Sequence, residues 1–129
     1  MLQQARQKGL QQTVAAGAEK LPFPDDAFSR VLVVDALHHF ADQPRAVAEL
    51  VRVLQPGGRL VIEEPDLNNF AVKLVALGEK VALMRSRFYY PGEIADMIAA
   101  QGLQPQVQRG EQFAAWIFAD KPSGEPFAP

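Results

Sequence analysis

Residues 31–64 read VLVVDALHHF, ADQPRAVAELVRVL and QPGGRLVIEE, and this stretch decides the fold. Val31 to Val34 form a continuous apolar run, as in a strand covered on both faces. Asp42 is placed to cap a helix whose first turn holds Pro44, where a missing N–H costs nothing. Val47, Leu50, Val51 and Leu54 recur at helical spacing and predict one buried face. Glu49 and Arg52, three apart, fall on the outer side. Pro56, Gly57 and Gly58 are expected to stop the helix, and Leu60-Val61-Ile62 to start the next buried strand. Strand, crossover helix and strand make a right-handed parallel unit. Ligands of such sheets sit beyond the carboxyl ends of the strands, here Asp35 to Phe40 and Glu63 to Asp66.

With 129 residues, 48% of them apolar, the chain has the material for one domain with a modest core. A formal net charge of −2 gives no reason to expect nucleic acid or an acidic membrane as partner. The absence of cysteine excludes disulfides, thiolate metal sites and cysteine nucleophiles. MLQQARQKGLQQ, at the start, lacks the apolar run of a signal peptide, and no apolar segment is long enough for a membrane span. A cytoplasmic protein is expected.

Outward from the central unit, residues 1–9 predict a short helix and Gln12–Ala16 a short strand. AEKLPFPDDAF, residues 18–28, is a loop whose two prolines forbid regular structure, with Leu21, Phe23 and Phe28 against the core. Residues 67–85 predict an amphipathic helix with Phe70, Leu74, Leu77, Val81 and Met84 on one face; such a face suits a buried core or a pocket cover. Pro91 and Gly92 open another helix, with Ile94, Met97 and Ile98 inward and Gly102 at its end. Two strands, Pro105–Arg109 and Phe113–Asp120, form a hairpin about Gly110. The expected boundaries are a domain over 1–121 and a flexible tail over 122–129; KPSGEPFAP is read as mobile throughout.

Three blocks together resemble the class I S-adenosylmethionine-dependent methyltransferases, in particular the small-molecule branch of the ubiquinone and menaquinone biosynthesis enzymes. AEKLPFPDDAF resembles the loop after that family's third strand. VLVVDALHHFADQPRAVAELVRVLQPGGRLVIEEPD resembles its fourth strand, helix and fifth strand, and WIFADKP its final antiparallel strand. The resemblance implies an α/β, Rossmann-like fold: a mostly parallel sheet, helices on both faces and an antiparallel strand near the C-terminus. The family's GxGxG turn is absent from this chain, so the first βαβ unit is expected to be missing. The missing strands would leave the edge of Val31–Val34 bare, an association site through which the chain would dimerise.

That resemblance implies S-adenosylmethionine as cofactor and a small-molecule methyl acceptor. The alternative is a non-catalytic truncated homologue acting as a dimerising or interaction module. Gly17 and Ala18 stand where the family has an Asp-Ala or Asn-Ala pair beside the adenine. Gly17 removes the side-chain contact and reads equally as a turn glycine. Val34 and Asp35 match the strand end that meets the methionine part of the cofactor; Asp35 would meet its ammonium group or bond nearby backbone. His38 and His39 are the only histidines. His39 is the candidate base and His38 a candidate substrate contact, against the plainer reading that His38 packs beneath the loop while His39 faces the pocket without catalytic duty. A metal site formed from Asp35, the histidines, Glu63, Glu64 and Asp66 is the rival; no established ligand spacing is present, and a polar exit from the strand is the expectation. Ser29 replaces the family's usual Asp after Phe28, which puts the order of the loop in question. Lys8, Arg30 and Arg59 read as solvated surface.

Overall fold

A computed structural model of the chain describes residues 16–66, 74, 77, 78, 89–110 and 114–123. Four strands form one sheet in the order β1-β2-β4-β3, with β1 Phe28–Val34, β2 Leu54–Pro65, β3 Gln106–Arg109 and β4 Ala114–Asp120. β1 and β2 are parallel, whereas β2–β4 and β3–β4 are antiparallel. Helix α1 spans Gln43–Val53 and α2 spans Pro91–Ala99. Asp42 caps α1 through the Arg45 amide, and Glu93 bonds the Tyr90 amide at the start of α2.

Val47 and Leu50 of α1 and Ile94 and Ile98 of α2 pack with Leu60, Ile62 and Ile117 of the sheet in one core. Both described helices therefore lie on the same face. The expected double cover of β1 is corrected: Val33 is buried, but Leu32 is 63% and Val34 50% exposed on the other side. Period-2 alternation turns Leu60 and Ile62 inward while Val61 stays half-buried.

The helix stop also differs from expectation. α1 ends at Val53, and Leu54 already has extended backbone. Phe28 pairs with Leu54 and Arg30 with Arg59, so residues 55–58 arch between two points of β2. Gly57 takes φ +80°, where a side chain is strained. A Cβ on Gly58 would lie 2.9 Å from the Ser29 and Gln55 carbonyl oxygens. The glycines thus serve the arch and its close approach to β1.

The 17–28 loop runs along α1 and is fixed at both ends. Glu19 Oε1 accepts from the Asp42 amide at 3.1 Å, and Arg45 Nε donates to the Glu19 carbonyl. Farther along, Arg52 donates to the carbonyls of Leu21 and Phe23 and to Asp25 Oδ1, while Glu49 accepts from the Leu21 amide. The Glu49–Arg52 pair is therefore a clamp on the loop, and the order in question at Ser29 is supplied by these residues. Phe23 and Phe28 meet edge to face at 5.0 Å.

Several other expectations change. Ala16 lies in no strand; the rest of the Gln12–Ala16 strand and the 1–9 helix lie outside the described residues. Of the 67–85 helix, Leu74 and Leu77 are helical but exposed, so neither is core; Phe70, Val81 and Met84 lie outside the described residues. Arg59 is paired, meeting both Asp120 oxygens at 2.7 and 3.0 Å and lying over Phe118. Arg30 donates to the Ser29 carbonyl. Lys121 is anchored on the carbonyls of Val51 and Leu54 and on Asp26, so the mobile tail cannot begin there. The hairpin forms as expected: the Gly110 amide bonds the Ala114 carbonyl, and a Cβ on Gly110 would meet the Trp116 indole nitrogen at 2.7 Å.

Candidate functional site

The carboxyl ends of β1 and β2 meet where the Asp35 amide donates to the Glu63 carbonyl at 2.8 Å. Asp35 then turns the chain with φ +47°, a conformation Asp tolerates better than most residues. A single 3-10 turn, Leu37–His39, follows. The His39 amide bonds the Ala36 carbonyl within the turn, and β2 supplies the partner for the amides that open it. Glu64 Oε1 accepts from the amides of Ala36, at 3.0 Å, and Leu37. Glu64 Oε2 lies 2.7 Å from His38 Nδ1. Both side chains are buried.

Glu64 and Asp66 share the inward parity of Leu60 and Ile62, and both are buried. The expected polar exit from the strand is thus corrected: these carboxylates point to the core side and are bonded there. Asp66 meets Arg109 Nε at 3.5 Å across the sheet. The signal was present in the sequence as a continued period-2 pattern.

The candidate residues divide by exposure. Asp35 offers a carboxylate 71% exposed, 3.8 Å from His38 Nδ1. His39 is exposed and His38 buried, their rings 4.0 Å apart between centroids. Gly17 and Ala18 open a turn in which the Lys20 amide bonds the Gly17 carbonyl. The Glu19–Asp42 bond holds that turn against the start of α1, at the same end of the sheet as Asp35. The Asp42 amide and the Ala41 backbone hold the Glu19 carboxyl below its ordinary value. Val34 ends β1 half exposed on the face opposite the helices. Asp35, His38 and Glu64 bring ligand atoms within 4.8 Å of one another, whereas the metal rival's His39, Glu63 and Asp66 do not join them. Glu64 already has one oxygen on two amides and the other against His38 Nδ1.

A cleft of about 560 Å³ lies at the opposite end of β2, lined by Arg59, Gln104, Phe118 and Asp120. Among its described lining residues the one cation, Arg59, is taken by Asp120, which leaves the carboxyl end of the sheet as the stronger candidate.

Residues 1–62 match the methyltransferase domain family. The chain is 37% identical over 106 residues to the ubiquinone/menaquinone biosynthesis C-methyltransferase UbiE of Bordetella avium, covering 67% of this chain and 41% of that protein. It is 48% identical over 61 residues to a demethylmenaquinone methyltransferase of Thermus thermophilus, covering 46% of this chain and 28% of the other. An S-adenosylmethionine-dependent methyltransferase structure from Thermotoga maritima superposes with a TM-score of 0.83 at 23% identity, over 94% of this chain and 69% of that one. The chain is similar to class I methyltransferases, UbiE among them. The α/β, Rossmann-like fold follows expectation. The chain spans under half the length of these curated relatives. Among the described residues, no helix is long and apolar enough to cross a membrane.

Proposed function

We propose that this chain supplies part of an S-adenosylmethionine-dependent enzyme that methylates a small molecule. The observation that carries this reading is the exposed Asp35 carboxylate at the carboxyl end of β1, on a turn held rigid by Glu64. A carboxylate there suits the ammonium group of the cofactor's methionine part. Gly17 and Ala18 are held at the same end, in the place that the resemblance assigns to the adenine contact. The residues therefore fit part of the cofactor; its sulfonium supplies the activated methyl group, and the protein's task is alignment. His39, exposed beside this turn, is the proposed base, and buried His38 takes the plainer role of packing beneath the loop. Isothermal titration of S-adenosylhomocysteine into the 129-residue chain, with mass followed by light scattering, tests the proposal. Binding at one site per chain supports it; no binding defeats it for this chain.

A second reading is an association module. Among the described residues β1 pairs only with β2, and its Leu32 and Val34 are exposed. A homodimer through this edge would give β1 a second strand neighbour. A dimeric mass without cofactor binding favours that reading.

A further inference from the structure

We infer that Glu64 is a positioning residue: from β2 it holds the turn that carries Asp35 and both histidines, and it fixes the proton of His38 on Nδ1. The inference deepens the proposed function and rests on it only for the ligand's share of the argument. A strand carboxylate buried to 3% exposure is costly without partners. Here one oxygen receives two successive backbone N–H groups, of Ala36 and Leu37, and the other faces His38 Nδ1 at 2.7 Å. An ionised carboxylate only accepts, so the short contact requires the hydrogen on Nδ1. The Asp35 turn is left-handed, and a non-glycine residue stays there only where its surroundings hold it. The Asp35 amide bond to Glu63 and the two amide bonds to Glu64 provide that hold from adjacent residues of one strand. Displacing Glu64 would release the backbone on which the exposed carboxylate is mounted. A divalent ion at Asp35, His38 and Glu64 would have to displace the Nδ1 proton.

Nitrogen-15 ring spectra of the full chain at neutral pH decide the first point, since two histidines give two ring systems. The expected result is a His38 ring protonated at Nδ1, with slow hydrogen exchange at the Ala36 and Leu37 amides. An unprotonated Nδ1, or free exchange at both amides, overturns the inference, and neither reading needs a variant. In Glu64→Gln the two amides should exchange about tenfold faster or more, the scale of one charge-assisted hydrogen bond, and the His38 ring signals should move. Unchanged exchange and ring signals overturn the positioning role. Zinc ion added in equimolar amount should leave the Nδ1 proton in place; its loss assigns the cluster to a metal instead. S-adenosylhomocysteine separates the two levels. If the native chain binds it, Glu64→Gln should bind about tenfold more weakly, and equal affinity overturns the ligand's share. If the native chain does not bind it, the proposed function fails, while the ring and exchange results still decide the role of Glu64.

Discussion

Arg52 grips Glu49 with two parallel hydrogen bonds, Nε to Oε1 at 2.7 Å and a terminal nitrogen to Oε2 at 2.9 Å. The geometry leaves the rest of the guanidinium to collect the loop carbonyls of Leu21 and Phe23. One ion pair on a helix thereby fastens a segment 25 or more residues away, and a planar five-donor group is what makes this feasible.

The clamp predicts an acid-sensitive fold. The Arg52 bond, and next the Leu21 amide, bring the Glu49 carboxyl from 4.5 down to about 2. A carboxyl depressed in the folded state takes up protons more readily when unfolded. Its stabilisation is therefore complete above about pH 4.5 and is lost as pH falls toward 2. Thermal melts followed by circular dichroism should show the midpoint falling through that window. In Glu49→Gln the fall should be shallower and the midpoint at pH 7 lower. Equal slopes in both chains would exclude the clamp as a source of acid sensitivity.

The central strand–helix–strand unit was legible because burial writes itself as periodicity: Val47, Leu50 and Val51 at helical spacing, Leu60 and Ile62 at spacing two. Asp42 was legible as a cap because its role is local. The clamp was not, since the spacing of Glu49 and Arg52 specifies their contact but says nothing of a loop crossing above them. Glu64 and Asp66 were misread for a different reason. Their charge suggested solvent, while their parity with Leu60 and Ile62 placed them inside. Asp35 marks the same site: its left-handed turn depends on Glu63 and Glu64, which are distant in sequence.

Gly58 should tolerate no side chain. Its added Cβ would press on two carbonyl oxygens, neither the end of a flexible side chain. Gly58→Ala is expected to destabilise by about 1–3 kcal/mol, as overpacking does. Gly92, in the first turn of α2 with open space where its Cβ would lie, is the control, and Gly92→Ala should be neutral or stabilising by up to about 1 kcal/mol. Urea unfolding of both variants checks the contrast, and equal midpoints would refute the crowding at the arch.

Ile117 sits opposite Ile62 on β2 and Val107 on β3, with no exposed surface. Ile117→Ala removes the side chain at the centre of the shared core. The expected loss is about 2–5 kcal/mol, the range for truncating a large aliphatic residue in a packed interior. Val107→Ala on the exposed β3 should cost far less, since Val107 is 45% exposed. A comparable loss at both sites would mean that β3 is more deeply covered than its exposure indicates.

Lys121 joins three parts of the fold: its ammonium reaches the carbonyls of Val51 and Leu54 at 3.0 and 2.7 Å and Asp26 at 2.9 Å. The carbonyls belong to the last turn of α1 and to Leu54, which caps it, where the helix dipole favours a cation. Asp26 belongs to the clamped loop and is half exposed, so its attraction to Lys121 is largely screened. The two contacts should therefore contribute unequally. Lys121→Met keeps most of the aliphatic stem and removes all three bonds, with an expected cost of about 1–2 kcal/mol. Asp26→Asn removes only the opposing charge and should cost under about 0.5 kcal/mol. Urea denaturation at low and high salt distinguishes them: the Lys121→Met loss should persist in high salt because the helix-end carbonyls are its main target. A loss that vanishes in salt, matching Asp26→Asn, would make the surface ion pair the dominant contact instead.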